Sequence, residues 1–528
     1  MQAPGFVDEV PNYRDDSLWP PWLTTPSTRR NHHLAPVTGL PPRALEQIFL
    51  YACDTYNLEE AMPSSWVERA RDVMMAPIIL SHVCTRWRNI ANTTPRLWRN
   101  IVVSLSPTIP IHTGSMVGDF INKSNPYTIN ICFFVTNGPA KYSALDAEVD
   151  LLTGHECCLH PFREGVEYPW EDKRALCWPE SIRHTAFNET SMQAIHSAAK
   201  FSKRWERAHF AGSMANYEKF LVHLRRPLYL PNLSSLGIHC GVDAGLDGGT
   251  FFLFEYAYSL RSLRMSNANF SEYVFPWTLL QRVHLAGTHS DEILDIAAHC
   301  PYLENFVVDD PWTDSTEPPV RQVVLQHLKS FSLTSYTGEV GGAHMHVIDN
   351  LVAPSILRIT LSDPQCNAHI RPLQNLERLL QRSSACDTLQ FLHLTLTPIE
   401  KDLIELLRIT NCLVTLHIDR DPTAINLPPA TGFFANLCNA ETPLLPRLRT
   451  LSISGMDFTM EDLIFMLQAR SRLGSGQVQP LKDVHSHLPN MGKFSNTLQT
   501  AALRSLRESG VAIRLNEAGA GHCGCVGC

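Results

Sequence analysis

Two apolar periodicities divide this chain. Between residues 40 and 105 the period is helical: Leu45, Ile48, Phe49 and Ala52 follow Leu40-Pro41-Pro42 at i, i+3, i+4 and i+7 spacing, which predicts a short amphipathic helix opened by proline. A second stripe, Leu80, Val83, Cys84, Trp87, Ile90 and Ala91, predicts one further helix that opens at Pro77 and buries all six. Thr94-Pro95 stops it, and Leu97, Trp98 and the strand-like Ile101-Val102-Val103 come next. The stretch between the two stripes, 53–76, fits an inserted loop or a weak helix.

From residue 230 the period changes to L-x-x-L-x-L. Nine copies have Leu236, Leu263, Val283, Phe306, Phe331, Ile359, Leu392, Leu416 and Leu451 as their middle residue, spaced 20 to 35 positions apart. The last two apolar residues of each copy are two apart, so on a strand they share one face, which a single repeat cannot bury without stacking on its neighbours. Helical stripes fill several of the gaps, at 291–299, 401–409 and 461–469. The fold class expected is therefore α/β: a small helical module, then a curved leucine-rich-repeat-like solenoid of parallel strands with helical or irregular crossovers. The solenoid covers 230–515, ending in a helix around Ala501 to Leu506 and a strand at Val511 to Leu515. Residues 106–229 are expected to hold irregular early repeats, with Ile129-Ile131-Phe133 and Trp205-Ala208-Phe210 as their clearest traces. The Pro- and Ser-rich 1–38 and the Cys- and Gly-rich 516–528 are expected to be disordered.

Composition narrows the function. The chain has 528 residues, too many for one compact core, so three or four domains or one repeat array are needed. No apolar run approaches the ~20 residues of a membrane span, and no basic-then-apolar start marks a secretory signal. Fifteen cysteines, an odd number scattered through apolar segments, suit free thiols in a reducing cytoplasmic or nuclear setting. A net charge of -8 without a basic block argues against nucleic acid.

The quoted motifs resemble those of the F-box proteins, in particular the fungal group that joins an F-box to divergent leucine-rich repeats. The likeness rests on Leu40-Pro41-Pro42-x-x-Leu45-x-x-Ile48-Phe49, Val83-Cys84-x-x-Trp87-Arg88-x-Ile90-Ala91 and Thr94-Pro95-x-Leu97-Trp98. It covers 39–105 by motif and the repeats by pattern, and it departs at Arg43-Ala44, where the family carries an acidic residue, and in the length of the 53–76 insert. The resemblance implies a substrate-recognition subunit that docks on a Skp-family adaptor, and so on a cullin ubiquitin ligase. It places Leu40, Pro41, Pro42, Leu45, Ile48, Phe49, Ile78 and Leu80 at or beside that interface, although two amphipathic helices must also bury residues of this kind in their own core. The alternative is a repeat scaffold whose helices only cap the solenoid.

Strand alternation puts Arg264, Arg282, His284, Arg358, Phe391, His393 and His417 on the solvent side of the repeats, among small Ser and Thr residues, a surface suited to a protein partner. Phosphate-binding loops, nucleophile elbows and zinc-protease motifs are missing from the sequence, so no catalysis, metal or cofactor is expected. His155 to His160 and His522 to Cys528 hold soft ligands, but both are read as loop or tail, not as a zinc site or a lipid anchor.

Overall fold

The structure is a computed structural model. It describes residues 40–54, 74–105, 113–135, 189–211, 228–239, 252–267, 270, 273–313, 322–335, 343–363, 372–396, 400–419, 431–439, 441–454, 456, 458–473, 478–488 and 497–517. The expectations for 1–38, 55–73, 518–528 and the two His/Cys clusters lie outside these residues; Asn516 and Glu517, expected in the disordered tail, instead end the last strand, and Cys53 and Asp54, expected in the insert, end the first helix.

Fourteen strands form one parallel sheet whose spatial order follows the chain, a solenoid-like α/β architecture. They are β1 Asn100–Leu105, β2 Ile129–Val135, β3 Trp205–Ala211, β4 Ser235–His239, β5 Ser262–Ser266, β6 Arg282–Ala286, β7 Asn305–Asp309, β8 Ser330–Thr334, β9 Arg358–Asp363, β10 Phe391–Leu396, β11 Thr415–Asp419, β12 Thr450–Ser454, β13 Asp483–Leu488 and β14 Ala512–Glu517. The middle residues of the nine repeats lie side by side in register, and the same line runs on through Ala208, Ile131 and Ile101 at one end and Val484 and Ile513 at the other. All fourteen side chains are buried. The early repeats are thus full members of the sheet, and the Ile101-Val102-Val103 segment that follows the helical module is its first strand.

Helices cover the buried face: Ser290–His299, Ala343–Asn350, Pro372–Arg382, Glu400–Ile409, Thr431–Leu437, Met460–Leu473 and Thr497–Glu508, each packed on the next. The helices Thr113–Lys123 and Glu189–Ala199, packed on each other, cover it near β1, and between β3 and β6 large rings fill that side among the described residues. Phe210 stacks on Phe133 at 5.1 Å, Phe254 meets Phe210 at 5.6 Å and Phe275 at 5.7 Å, and Trp277 meets Phe275 at 5.0 Å. Bulky rings suit a stretch where turns supply less apolar volume than a helix would.

At the N-terminal end the helix Pro42–Asp54 turns Leu45, Phe49, Leu50 and Cys53 inward, with Phe49 4.8 Å from the Trp87 ring. The expected single helix from Pro77 to Ala91 is two. Residues 74–83 form one, and Thr85–Thr93 a second. Cys84 between them is extended, and its sulfur accepts the Trp87 amide, which makes it an N-cap. That break rotates Val83 and Cys84 into solvent, correcting the expectation that both are buried. The 3-10 turn Pro95–Trp98 then buries Leu97 and Trp98, and the Trp98 indole donates to the Ala91 carbonyl at 2.8 Å.

The module shares its core with the sheet. Leu45 and Phe49 belong to one apolar cluster that runs through to Ile513. The outer edge of β1 is covered, since the Val102 amide donates to Met74 Sδ at 3.2 Å and Asn100 Nδ2 reaches the Cys53 carbonyl. An edge strand left bare is a template for unwanted pairing, and here helices blunt it. Among the described residues no helix is long and apolar enough to cross a membrane.

Candidate protein-interaction face

The face opposite the helices carries three outward positions per strand, aligned across the sheet by the same register. Arg282 and Arg358 stand in the first row and are exposed; Arg264, His284, His393 and His417 stand in the second, half-buried, and half-buried Phe391 is in the first. All seven residues expected on the solvent side are therefore on it. They divide into two groups.

The first group spans β3 to β7. His284 Nε2 donates to Asp309 Oδ2 at 2.5 Å, one strand over and one row up. Burial would raise the Asp309 pKa, but hydrogen bonds from His284 and Thr334 and the charges of His284 and Arg264 together hold the carboxyl below its usual range. Burial pulls the Arg264 guanidinium down, and Asp309 opposes that shift. His239 shares a 3.1 Å hydrogen bond with Ser266 Oγ and is held neutral by burial first and by the Arg264 charge second. His209, buried in the second row, lies against Gly237, where a Cβ would fall 2.3 Å from its Nδ1. Burial, with Arg264 and Arg207 beside it, pushes the His209 pKa down to about 3.

The second group repeats the diagonal on β10 and β11. His393 Nε2 donates to Asp419 Oδ2 at 2.8 Å, with Thr395 Oγ1 at 3.3 Å. The His417 ring meets His393 at 5.6 Å and Phe391 at 5.3 Å, and Arg358 lies 5.8 Å over Phe391. Burial lowers the His417 pKa, helped by His393 and His485 and opposed by Asp419.

Each pair fixes an imidazole against a carboxylate and so leaves a rigid polar surface dominated by arginine and hydroxyl groups. Among the described residues no three His, Cys, Asp or Glu side chains are placed to hold a metal ion. What the arrangement can do is donate hydrogen bonds and present positive charge to a partner.

Of the adaptor-side residues, Leu45 and Phe49 are each 1% exposed and face the core. Leu40, Ile78 and Leu80 are half-buried against it, and the Arg86 guanidinium donates to the Leu40 carbonyl. Pro41, Pro42 and Ile48 are exposed. The structure adds Tyr51 and Val83 to the solvent-facing apolar set. On the open face it adds Arg207 and His209, while His239, Asp309 and Asp419 stand where alternation along their strands puts them. Arg207 and His209 were accessible through the Trp205-Ala208-Phe210 trace, because alternation around those residues points both outward.

No protein-family model matches the chain, and no curated protein matches it.

Proposed function

We propose that this chain is the substrate-receptor subunit of a Skp–cullin–F-box ubiquitin ligase, with the helices of 40–98 docking an adaptor and the open face of the sheet holding a protein substrate. The observation that carries the reading is a second apolar stripe on the helix Pro42–Asp54. Leu45, Phe49 and Cys53 face the core, while Ile48 and Tyr51, three residues apart on the other side, are 49% and 75% exposed. A helix with an apolar stripe on its solvent side suits a partner. The mechanism is tethering: adaptor contact at one end and substrate contact on the face raise the local concentration of a substrate lysine near a ubiquitin-charged enzyme, which supplies the chemistry.

One observation favours the scaffold alternative, in which the helices serve as a cap. They share the sheet's core and cover the β1 edge through Met74 and Cys53. The two readings part on adaptor capture. The full chain is mixed with purified Skp-type adaptor, and the same capture is repeated with Ile48→Asp and Tyr51→Asp, which alter only the solvent-side stripe. Capture by the wild type and its loss in both variants supports the receptor; no capture by the folded wild type leaves the cap.

A further inference from the structure

Three arginines occupy one register position on every third strand: Arg207 on β3, Arg282 on β6 and Arg358 on β9. Between them in that row stand only small polar residues, Ser235 and Ser262 in the first interval, Asn305 and Ser330 in the second. Neighbouring strands lie about 4.8 Å apart, so the arginine positions repeat every ~14 Å across the sheet. An extended peptide advances about 3.4 Å per residue and covers ~14 Å in four residues. Four is even, so residues i, i+4 and i+8 of such a peptide emerge on one side. A helix rises only about 1.5 Å per residue, needs ~10 residues for the same step, and at about 100° per residue turns the next side chain away from the face.

The charge agrees with the spacing. Across the outward positions of β3 to β9 there are four arginines, Arg207, Arg264, Arg282 and Arg358, and one carboxylate, Asp309, which already accepts from His284. Those strands carry no outward lysine, on a chain whose net charge is -8. Glu206, half-buried at the β3 bulge beside Arg207, accepts from the Thr128 hydroxyl.

We propose that the open face binds an extended acidic segment of a partner protein, laid across the strands, with a carboxylate side chain at every fourth residue over Arg207, Arg282 and Arg358. This rests on the reading of the open face as the partner-holding surface. Arginine suits the role because its planar fork grips a carboxylate through two parallel hydrogen bonds. The serines between offer hydroxyls to the peptide's intervening residues without filling the path.

The test uses the full chain and two fluorescent peptides of identical composition, Ser/Thr-rich with three glutamates. One spaces the glutamates four apart, the other three apart, which alternates them between sides. Anisotropy titrations at low ionic strength should show the four-apart peptide binding several-fold tighter, with the difference shrinking as salt is added. Arg282→Gln should weaken it about two- to fivefold, as expected for an exposed ion pair, and Arg207→Gln with Arg282→Gln and Arg358→Gln together should erase the preference. Arg282→Lys should keep the salt dependence and lose part of the affinity. Equal binding of the two peptides, a preference that survives the triple variant, or no binding would each overturn the proposal. Adaptor capture measured on the same preparations reports separately on the ligase reading, so the two can fail independently.

Discussion

Gly237 offers the sharpest test of how the open face is built. Replacing it with alanine places a methyl group 2.3 Å from His209 Nδ1 and 3.1 Å from Cε1, where ordinary contacts begin near 3.4 Å. The imidazole must therefore retreat by about 1 Å, and overpacking of this size costs roughly 1–3 kcal/mol. His209 is only 3% exposed, so its ring cannot simply swing into water. Urea melts of Gly237→Ala should show an unfolding free energy lowered by that amount, read on the cooperative unit that contains β3 and β4. Removing the obstruction should restore stability: in Gly237→Ala with His209→Ala, the double variant should be less destabilised than the sum of the singles by about 1–2 kcal/mol. Gly237→Ala with wild-type stability, or a double variant that is strictly additive, would refute the packing of this ring on that glycine.

Three further outcomes follow from the same contacts. Leu45→Asp buries a carboxylate in the shared core and should destabilise the N-terminal end by several kcal/mol, whereas Ile48→Asp should leave thermal stability within about 1 kcal/mol; circular dichroism melts compare the two. Arg470, 1% exposed in the helix Met460–Leu473, donates to the carbonyls of Leu437, Leu444 and Leu445, and burial lowers its pKa to about 10. Arg470→Ala removes the donors of three carbonyls and should cost about 2–4 kcal/mol by denaturant titration. His209 is neutral in the fold, its pKa depressed to about 3 from 6.5, so the unfolded chain binds more protons between those values and stability should fall as pH drops through that window. Asp309, held below its ordinary 3.8, contributes stability above that value that is lost as pH falls through its folded pKa. Comparing acid denaturation of His209→Phe with wild type isolates the first effect as a shallower fall between about pH 6 and 4.

The repeats were legible because the sheet imposes a strict rule: the middle apolar residue of each copy faces the helices, and Leu416 or Phe306 cannot be polar without opening the core. Weaker copies showed only as traces where a small residue replaces leucine, as at Ala208, and where the intervening chain is long, as between Val135 and Trp205. The break at Cys84 was not legible, since the apolar stripe continues across it and cysteine rarely caps a helix. Periodicity marked Leu45 and Phe49 as apolar-facing but did not say what they face; a stripe records that a side is buried, not by which neighbour. On the open face, alternation gave the positions, but the His284–Asp309 and His393–Asp419 diagonals needed the register between strands that are 25 and 26 residues apart in sequence. Arg470 falls on the Leu463, Met466, Leu467 stripe as a charged interruption, and only the carbonyls of 437–445 explain it.

Strand order and chain order coincide from β1 to β14, and this has a mechanical consequence. Within the sheet each inner strand pairs with the ones that precede and follow it, so the sheet is a chain of nearest-neighbour springs whose strength adds along one dimension. Among the described residues its two ends are built differently. At β1 the helical module clasps the last strand, while at β14 the described neighbours are β13, the helix Thr497–Glu508 and an Arg507 contact to the Ile513 carbonyl. Opening under heat or tension therefore passes from strand to strand between neighbours, and amide exchange should record it as protection that changes gradually along the sheet and not all at once.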